Sequence, residues 1–306
     1  MLARKIILFT IYVLCISSCV AFGVWAGRNA HTPLNARILE DGSSVTGDPI
    51  SRGGRINVLV MGLDDGGYRS DTMMLASFDT KTKRVAILSI PRDTRIYYNG
   101  SYEKINASVG HSGREQTAMQ AIKQLTGLPI HYYVSMEFDG FRKVIDILGG
   151  VYIDVPRDMY YSDPYQDLHI DLKKGYQLLD GDKSEQFVRF RKGYADADIG
   201  RIHAQQMFAK ELIKQKVTLE NITRANDIFA QAKQHVNTNY SIADLASQID
   251  MLRDFDFNNI AQFDLPGTDK MINDISYWIC DEKATKELME EYFLSSPMPE
   301  VKKEEE

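Results

Sequence analysis

Between Val58 and Lys104 the chain alternates apolar runs with charged clusters. Val58-Leu59-Val60-Met61-Gly62-Leu63 ends at Asp64, and Arg69-Ser70-Asp71-Thr72 leads into Met73-Met74-Leu75. Ala86-Ile87-Leu88-Ser89-Ile90 then ends at Pro91-Arg92-Asp93-Thr94-Arg95. Runs of this length with β-branched and aliphatic residues predict buried strands. Charged clusters at their ends sit at the rim of a sheet, where open α/β sheets take their ligands. Downstream, Ala118, Met119, Ile122 and Leu125 recur at helical spacing, which predicts a helix over 115–125 stopped by Gly127. Residues 132–138 predict a strand, 141–148 a helix ending at Gly149-Gly150, and 151–155 an alternating strand. Short amphipathic pieces around a Gly175 turn fill 168–179, and Asp180 is positioned to cap a short helix reaching Val188. A long helix is expected over 198–219, amphipathic segments over 226–234 and 242–255, a late strand over 261–265 and a last helix over 283–293. Strands alternating with helices predict an α/β fold, a central mixed β-sheet flanked by helices.

The N-terminal pattern differs. Residues 6–26 are uncharged, and at about 1.5 Å per residue they span a hydrocarbon core of about 30 Å. Arg4 and Lys5 precede the run and Arg28 follows it, which orients the N-terminus to the cytoplasm. The run is read as a single uncleaved transmembrane helix. The alternatives are a cleaved signal peptide and lipid attachment at Cys19, for which Ile16-Ser17-Ser18-Cys19 resembles a lipobox. All three place the remainder outside the cytoplasmic membrane. Residues 28–55, rich in Gly, Ser, Thr, Pro and Asn, read as a tether.

Composition sharpens this picture in two respects. The net charge of −6 over 306 residues gives no general attraction to nucleic acid, so any polyanion must be met by local arginine clusters. Of three cysteines, Cys15 and Cys19 lie in the apolar run and only Cys280 lies in the soluble part, which excludes an intrachain disulfide framework there. Cys280 reads as a packed core residue.

The candidate chemistry is that of phosphate. Asp64 and Asp71, with Arg69-Ser70 between them, suit a divalent cation that takes few protein carboxylates and completes its shell with water and phosphate oxygens. No His/Cys cluster lies nearby to suit zinc. Arg69, Arg92, Arg95, Arg189, Arg191 and Arg201 all border apolar elements, and guanidinium forks bind phosphate in a bidentate way. Arg189 and Arg191 point the same way if extended and diverge if helical. Arg201 and Gln205 share a helix face. Asp198 stands at the expected helix start, as a cap or as a general base for an incoming hydroxyl. Lys104 is a further cation within reach of a phosphate or of solvent. His111 and His203 lack ligand spacing, and no Gly-x-Ser-x-Gly motif is present.

These residues resemble the LytR–CpsA–Psr family of bacterial cell-envelope proteins. The resemblance lies in Gly62-Leu63-Asp64, Arg69-Ser70-Asp71-Thr72-Met73-Met74, Ser89-Ile90-Pro91-Arg92-Asp93-Thr94, Lys104-Ile105-Asn106-Ala107, Leu179-Asp180-Gly181, Val188-Arg189-Phe190-Arg191, and Asp198-Ile199-Gly200-Arg201 with Gln205-Gln206. It covers about half the chain, with the motifs in one order. The resemblance implies a membrane-anchored phosphotransferase. Such a protein moves a glycopolymer phosphate, as of wall teichoic acid or capsule, from undecaprenyl pyrophosphate onto peptidoglycan as a phosphodiester. It implies magnesium, with manganese as a substitute, on Asp64 and Asp71, and a clamp of Arg69, Arg92, Arg189, Arg191 and Arg201. Gln205 would orient polar groups beside them, and Asp198 would accept the attacking hydroxyl's proton. A lipid tunnel is implied too, for which Phe141, Val144, Ile145 and Leu148 are candidates alongside ordinary core packing. Glu185 and His203-Ala204 depart from the family's pattern. The organisation expected is a cytoplasmic tip over 1–5, the anchor over 6–26, a tether over 27–55, an extracytoplasmic catalytic domain over 56–295 and a disordered tail over 296–306. A non-catalytic polyprenyl-phosphate or glycopolymer binder with a regulatory role, and a lipid pyrophosphate hydrolase, are the alternatives.

Overall fold

The first apolar run folds as β1 (Arg55–Leu63), whose residues are buried along almost its whole length. That is the pattern of a strand covered on both faces. The next two runs form β2 (Ser70–Asp79) and β3 (Arg84–Ile90). The structure is a computed structural model that describes residues 54–64, 66–164, 168–192, 197–216, 231, 234–239 and 260–294. These divide into two units, one built from the residues up to Ser135 together with those from Ile260 onward, the other from the residues between.

The first unit is organised by a mixed sheet. A hairpin, β4 (Arg95–Tyr98) and β5 (Ser101–Lys104), follows β3 and leads through a 3-10 turn (Ile105–Gly110) into α1 (Glu115–Thr126). β6 is Tyr132–Glu137 and β12 is Ile260–Asp264, so that β6, β1, β2, β3 and β12 are neighbours in that order. β1–β2 and β2–β3 are antiparallel, whereas β12 lies parallel to β3. On one face Leu59, Met61, Leu75 and Leu88 pack with Ile105 and Ile122 of the turn and helix. α1 ends as its spacing predicts: Gly127 takes a left-handed φ of 72° and returns its N–H to Lys123 O at 2.8 Å. A second hairpin, β13 (Gly267–Ile272) and β14 (Ile275–Cys280), precedes α5 (Glu282–Leu288) and a π-helical turn (Met289–Leu294). Both hairpins went unread in the sequence.

The second unit holds α2 (Phe138–Ile147), β7 (Val151–Val155), β8 (Met159–Asp163), β9 (Leu168–Leu172), β10 (Gly175–Leu179), α3 (Gly181–Arg189), α4 (Ala197–Lys216) and β11 (Asn237–Thr238). The stretch expected as amphipathic pieces is two strands with different partners: β9 pairs with β8, and β10 reaches back to β7. The Leu179-Asp180-Gly181 motif has a packing explanation. Leu179 is in the core, and Asp180 accepts the Lys183 N–H at 2.9 Å as helix cap. A Cβ on Gly181 would stand 2.3 Å from Arg142 O, so only glycine lets α3 approach α2 this closely. Val144 and Leu148 are buried, Ile145 lies in the core with Phe187, and Phe141 packs against Phe208 at a ring separation of 5.5 Å. The four residues considered for a lipid tunnel are thus buried or half-buried within the second unit.

Among the described residues no helix is long and apolar enough to cross a membrane. The expected anchor and tail lie outside them, as do 242–255, most of 226–234 and the tether up to residue 53; Arg55, expected as the end of the tether, instead opens β1.

Candidate active site

In the first unit the register of the sheet builds the site. Gly62 pairs with Thr72 but Leu63 pairs with Ser70, so Asp71 is the extra residue of a β-bulge. Bulges bend a strand and re-aim a side chain. β2 and β3 pair as far as Met73 opposite Ile90, and the same register continued past the ladder sets Arg92 against Asp71. Their side chains meet there, Arg92 Nη1 donating to Asp71 Oδ1 at 2.6 Å. The pair is a quarter exposed, at 25% and 29%, so neither charge is sealed from a ligand.

Asp64 begins the loop that joins β1 to β2. Its Oδ1 accepts the Arg69 N–H at 2.8 Å, and its own N–H donates to Arg69 O at 2.9 Å. Arg114, just before α1, donates from Nη2 to Gly67 O at 2.8 Å. Gly110 permits a close approach, since a Cβ there would stand 2.8 Å from Tyr68 O. Asp64, Gly67 and the Arg69 backbone are therefore held by their surroundings while the Arg69 side chain stays exposed.

The Pro91-Arg92-Asp93-Thr94 turn is tied equally well. Buried Thr94 donates its hydroxyl to Pro91 O at 2.6 Å, Asn106 N–H donates to Arg92 O at 3.1 Å, and Trp278 N–H of β14 donates to Asp93 O at 3.0 Å. Lys104 Nζ reaches Asp93 Oδ1 at 3.0 Å, and the Arg95 guanidinium lies 3.6 Å from the Tyr102 ring centroid, with the Tyr277 ring 5.6 Å away. Cation–π packing of this kind holds a guanidinium without spending its hydrogen-bond donors. Tyr102, Tyr277 and Trp278 were missed in the sequence. The aromatic and β-branched residues of Ile275-Ser276-Tyr277-Trp278-Ile279-Cys280 suit a strand, but nothing local signals its contact with Asp93.

The donor set suits one kind of cation. Among the described residues neither Asp64 Oδ2 nor Asp71 Oδ2 carries a hydrogen bond, and no group of three or more His, Cys, Asp or Glu is gathered as a metal site. Two carboxylates with open oxygens fit magnesium, which draws its remaining ligands from water and phosphate, and do not fit a closed zinc site.

The second unit places its expected site residues differently. Arg189 closes α3, and Phe190 turns the backbone extended (φ −65°, ψ 129°) with its ring buried in the core, so Arg189 and Arg191 fall on opposite sides of a helix end. Arg189 Nη1 donates to Glu185 Oε1 at 2.6 Å, and its guanidinium sits 4.5 Å from the Phe138 ring. Glu185 is buried and also receives Arg142, whose guanidinium its acidic neighbours raise above the usual value despite the opposing effect of burial. The departure noted at Glu185 is thus an ion-pair anchor. Gln205 donates from Nε2 to Val188 O at 3.1 Å, closing the end of α3, and Arg201 is buried on α4. Asp198 falls within the first turn of α4, which starts one residue earlier at Ala197, instead of preceding the helix as a cap; its side chain lies outside the described residues. Elsewhere, His111 Nε2 lies 2.8 Å from Glu103 Oε1, and Cys280 Sγ lies 3.1 Å from Thr285 Oγ1, burial pushing the thiol's pKa up. Cys280 packs against the core of the first unit, as expected.

Residues 26–293 match the model of the LytR_cpsA_psr family. The chain is 29% identical over 317 aligned residues to the polyisoprenyl-teichoic acid–peptidoglycan teichoic acid transferase TagV of Bacillus subtilis strain 168, covering 94% of this chain and 79% of that protein. To the teichoic acid transferase TagU of the same strain it is 32% identical over 246 residues, covering 76% and 77%. The fold is similar to the crystal structure of B. subtilis TagV, with a TM-score of 0.65 at 29% identity over 78% of this chain and 97% of that one.

Proposed function

The chain belongs to the LytR–CpsA–Psr family, and from that premise we propose that it is a glycopolymer transferase that joins a phosphate-linked polymer to peptidoglycan, using an undecaprenyl pyrophosphate carrier as donor. The observation that carries this reading is the Arg92–Asp71 pair on a bulge beside the Asp64 loop. It is a rigidly seated, part-exposed set of two carboxylates and a guanidinium. Phosphoryl transfer needs positioning and charge neutralisation more than covalent chemistry.

In the proposed reaction the acceptor hydroxyl oxygen bonds to the phosphorus that carries the polymer. The bond from that phosphorus to the bridging oxygen breaks, and the lipid monophosphate leaves with the electron pair. Arg92 binds the pyrophosphate oxygens as negative charge grows on the leaving group, with Lys104, Arg95 and Arg69 as further phosphate ligands. Arg189, Arg191 and Arg201 are proposed for the same class of ligand on the strength of the family resemblance, and Gln205 holds the end of the helix that carries Arg189. Asp198 is proposed to take the hydroxyl's proton. Asp64 and Asp71 would hold magnesium, or manganese in its place, which when bound supplies positive charge to the pyrophosphate. Residues 6–26 are proposed to anchor the protein, with its described part outside the cytoplasmic membrane.

The test is to incubate the full chain in detergent with a polyprenyl-pyrophosphate-linked glycan, a peptidoglycan fragment and magnesium, and to look for the joined product. Product that needs all three supports the transferase. Tight lipid binding without product returns a carrier-binding protein, and phosphate release without acceptor returns a hydrolase.

A further inference from the structure

The outer face of β7 and β10 carries an aromatic pair that the transfer chemistry does not use. Val151, Ile153, Val155 and Leu179 point into the core of the second unit and are fully buried. Tyr152, Asp154, Tyr176 and Leu178 alternate with them onto the other face. The register sets Tyr176 opposite Asp154 and Leu178 opposite Tyr152, so the two tyrosines are diagonal neighbours. Their rings lie nearly parallel, 14° apart with centroids at 5.4 Å, yet Tyr176 is 73% and Tyr152 45% exposed. Scattered single exposed aromatics need no explanation, but a stacked pair beside an exposed leucine forms a patch.

The platform is rigid, and its strand edge is closed. Gln215 of α4 accepts the Tyr152 N–H on Oε1 at 2.8 Å and donates from Nε2 to Tyr152 O at 2.6 Å. One side-chain amide thus takes both main-chain groups that an added strand would need, which removes β-augmentation at this point. What remains to a ligand is the outer ring faces and the neighbouring Asp154 carboxylate. Asp154 stands across from Tyr176 and disfavours phosphate, anionic lipid and nucleic acid. Tyrosine faces are electron-rich and attract the C–H groups of an apolar sugar face, while a carboxylate accepts hydrogen bonds from sugar hydroxyls.

We propose that Tyr152 and Tyr176, with Asp154, form a docking surface for the uncharged sugar units of a glycan strand. The surface holds polymer by stacking and leaves the phosphate chemistry to other residues. Glycan binding stands on this geometry alone; identifying the bound strand with the wall acceptor rests on the transferase reading.

The probe is insoluble peptidoglycan stripped of its anionic polymers, titrated with the full chain in detergent and read by co-sedimentation. Tyr176→Ala should weaken binding about tenfold, the scale of one lost contact residue, with no change in melting temperature. Tyr176→Phe, which keeps the ring face, should bind as the unsubstituted protein does. Tyr160→Ala, at an exposed ring on β8, should leave binding unchanged. Equal binding by Tyr176→Ala overturns the proposal, as does a loss in Tyr176→Phe matching that in Tyr176→Ala, or an equal loss in Tyr160→Ala. Tyr176-dependent binding to anionic phospholipid vesicles in place of the glycan overturns it as well. A transfer assay that fails while Tyr176-dependent glycan binding persists refutes the transferase reading and leaves this inference standing.

Discussion

β2 ends in an aspartate–arginine pair on both sides, and the two pairs have opposite lives. At its C-terminal end Asp79 pairs with Arg55, the carboxylate fully buried and the guanidinium 7% exposed, at 3.3 Å. At its N-terminal end Asp71 pairs with Arg92 at 2.6 Å with both side chains a quarter exposed or more. Asp79 also accepts the N–H groups of Lys81 and Thr82 at 2.9 and 3.1 Å, so it organises the turn to β3 as well as facing a cation. Among the described residues Asp71 has the single bond to Arg92 and an open second oxygen. Residue type is therefore a poor guide to role. Burial and the number of competing protein partners distinguish a charge that builds the fold from one left open to a ligand.

The largest effect expected of breaking the comparison falls on the rim pair. Arg92→Ala should lower transfer about 10²- to 10³-fold, the cost of one positioned donor to a developing anion. It should shift the melting midpoint by less than about 2 °C, because part-exposed pairs contribute little stability. Parallel transfer assays and thermal melts check both halves.

The buried pair should behave in the converse way. Asp79→Ala removes the buried carboxylate beside Arg55 and should cost about 3 kcal/mol of unfolding free energy in denaturant titrations, with transfer per folded molecule little changed. Burial pushes the Asp79 carboxyl up, but hydrogen bonds from Thr82 and Lys81 and the charge of Arg55 outweigh it, and the net direction is down. A carboxyl depressed in the folded state adds stability that is full above the unfolded value, about pH 4, and is lost as pH falls through the folded value. Unfolding titrations below about pH 4 should therefore show a decline that is smaller in Asp79→Ala; an unchanged acid limb would reassign the dependence to other carboxylates.

Two smaller substitutions sharpen the contrast. Gly110→Ala forces a Cβ toward Tyr68 O and so displaces the Asp64 loop, at about 1–2 kcal/mol of overpacking. Its effect on transfer should be about tenfold, equivalent to about 1.4 kcal/mol and so comparable with its effect on stability. Cys280→Ser should change transfer not at all and stability by less than about 1 kcal/mol. The Cys280 thiol, raised by burial, should label slowly with a thiol reagent at neutral pH.

Much of this arrangement was legible in the sequence, and what was not has a physical cause. The apolar runs that became β1, β2 and β3 carry their own signal, and so do the Asp180 cap and the Gly127 stop, because each rests on neighbours within a few residues. Asp64, Asp71 and Arg92 stood out as charges at the ends of apolar runs. The bulge that turns Asp71 toward Arg92 did not, since it is a property of register between strands. Asp79 and Arg55 were passed over for the same reason: Arg55 reads as the end of the tether and Asp79 carries no local signal until pairing sets them together. The least legible contact is Trp278 N–H to Asp93 O, where β14 supports a turn far back along the chain. At Arg189 a motif read as a phosphate clamp is paired with a structural anion outside it, Glu185, four residues earlier.

The most direct test of the account is a double-substitution cycle on Asp71 and Arg92, read in transfer rate and in unfolding free energy. The account predicts coupling of more than about 1 kcal/mol in the rate and less than about 0.5 kcal/mol in stability. Coupling in stability with none in the rate would contradict it, and would make this pair a second copy of the one at the other end of the strand.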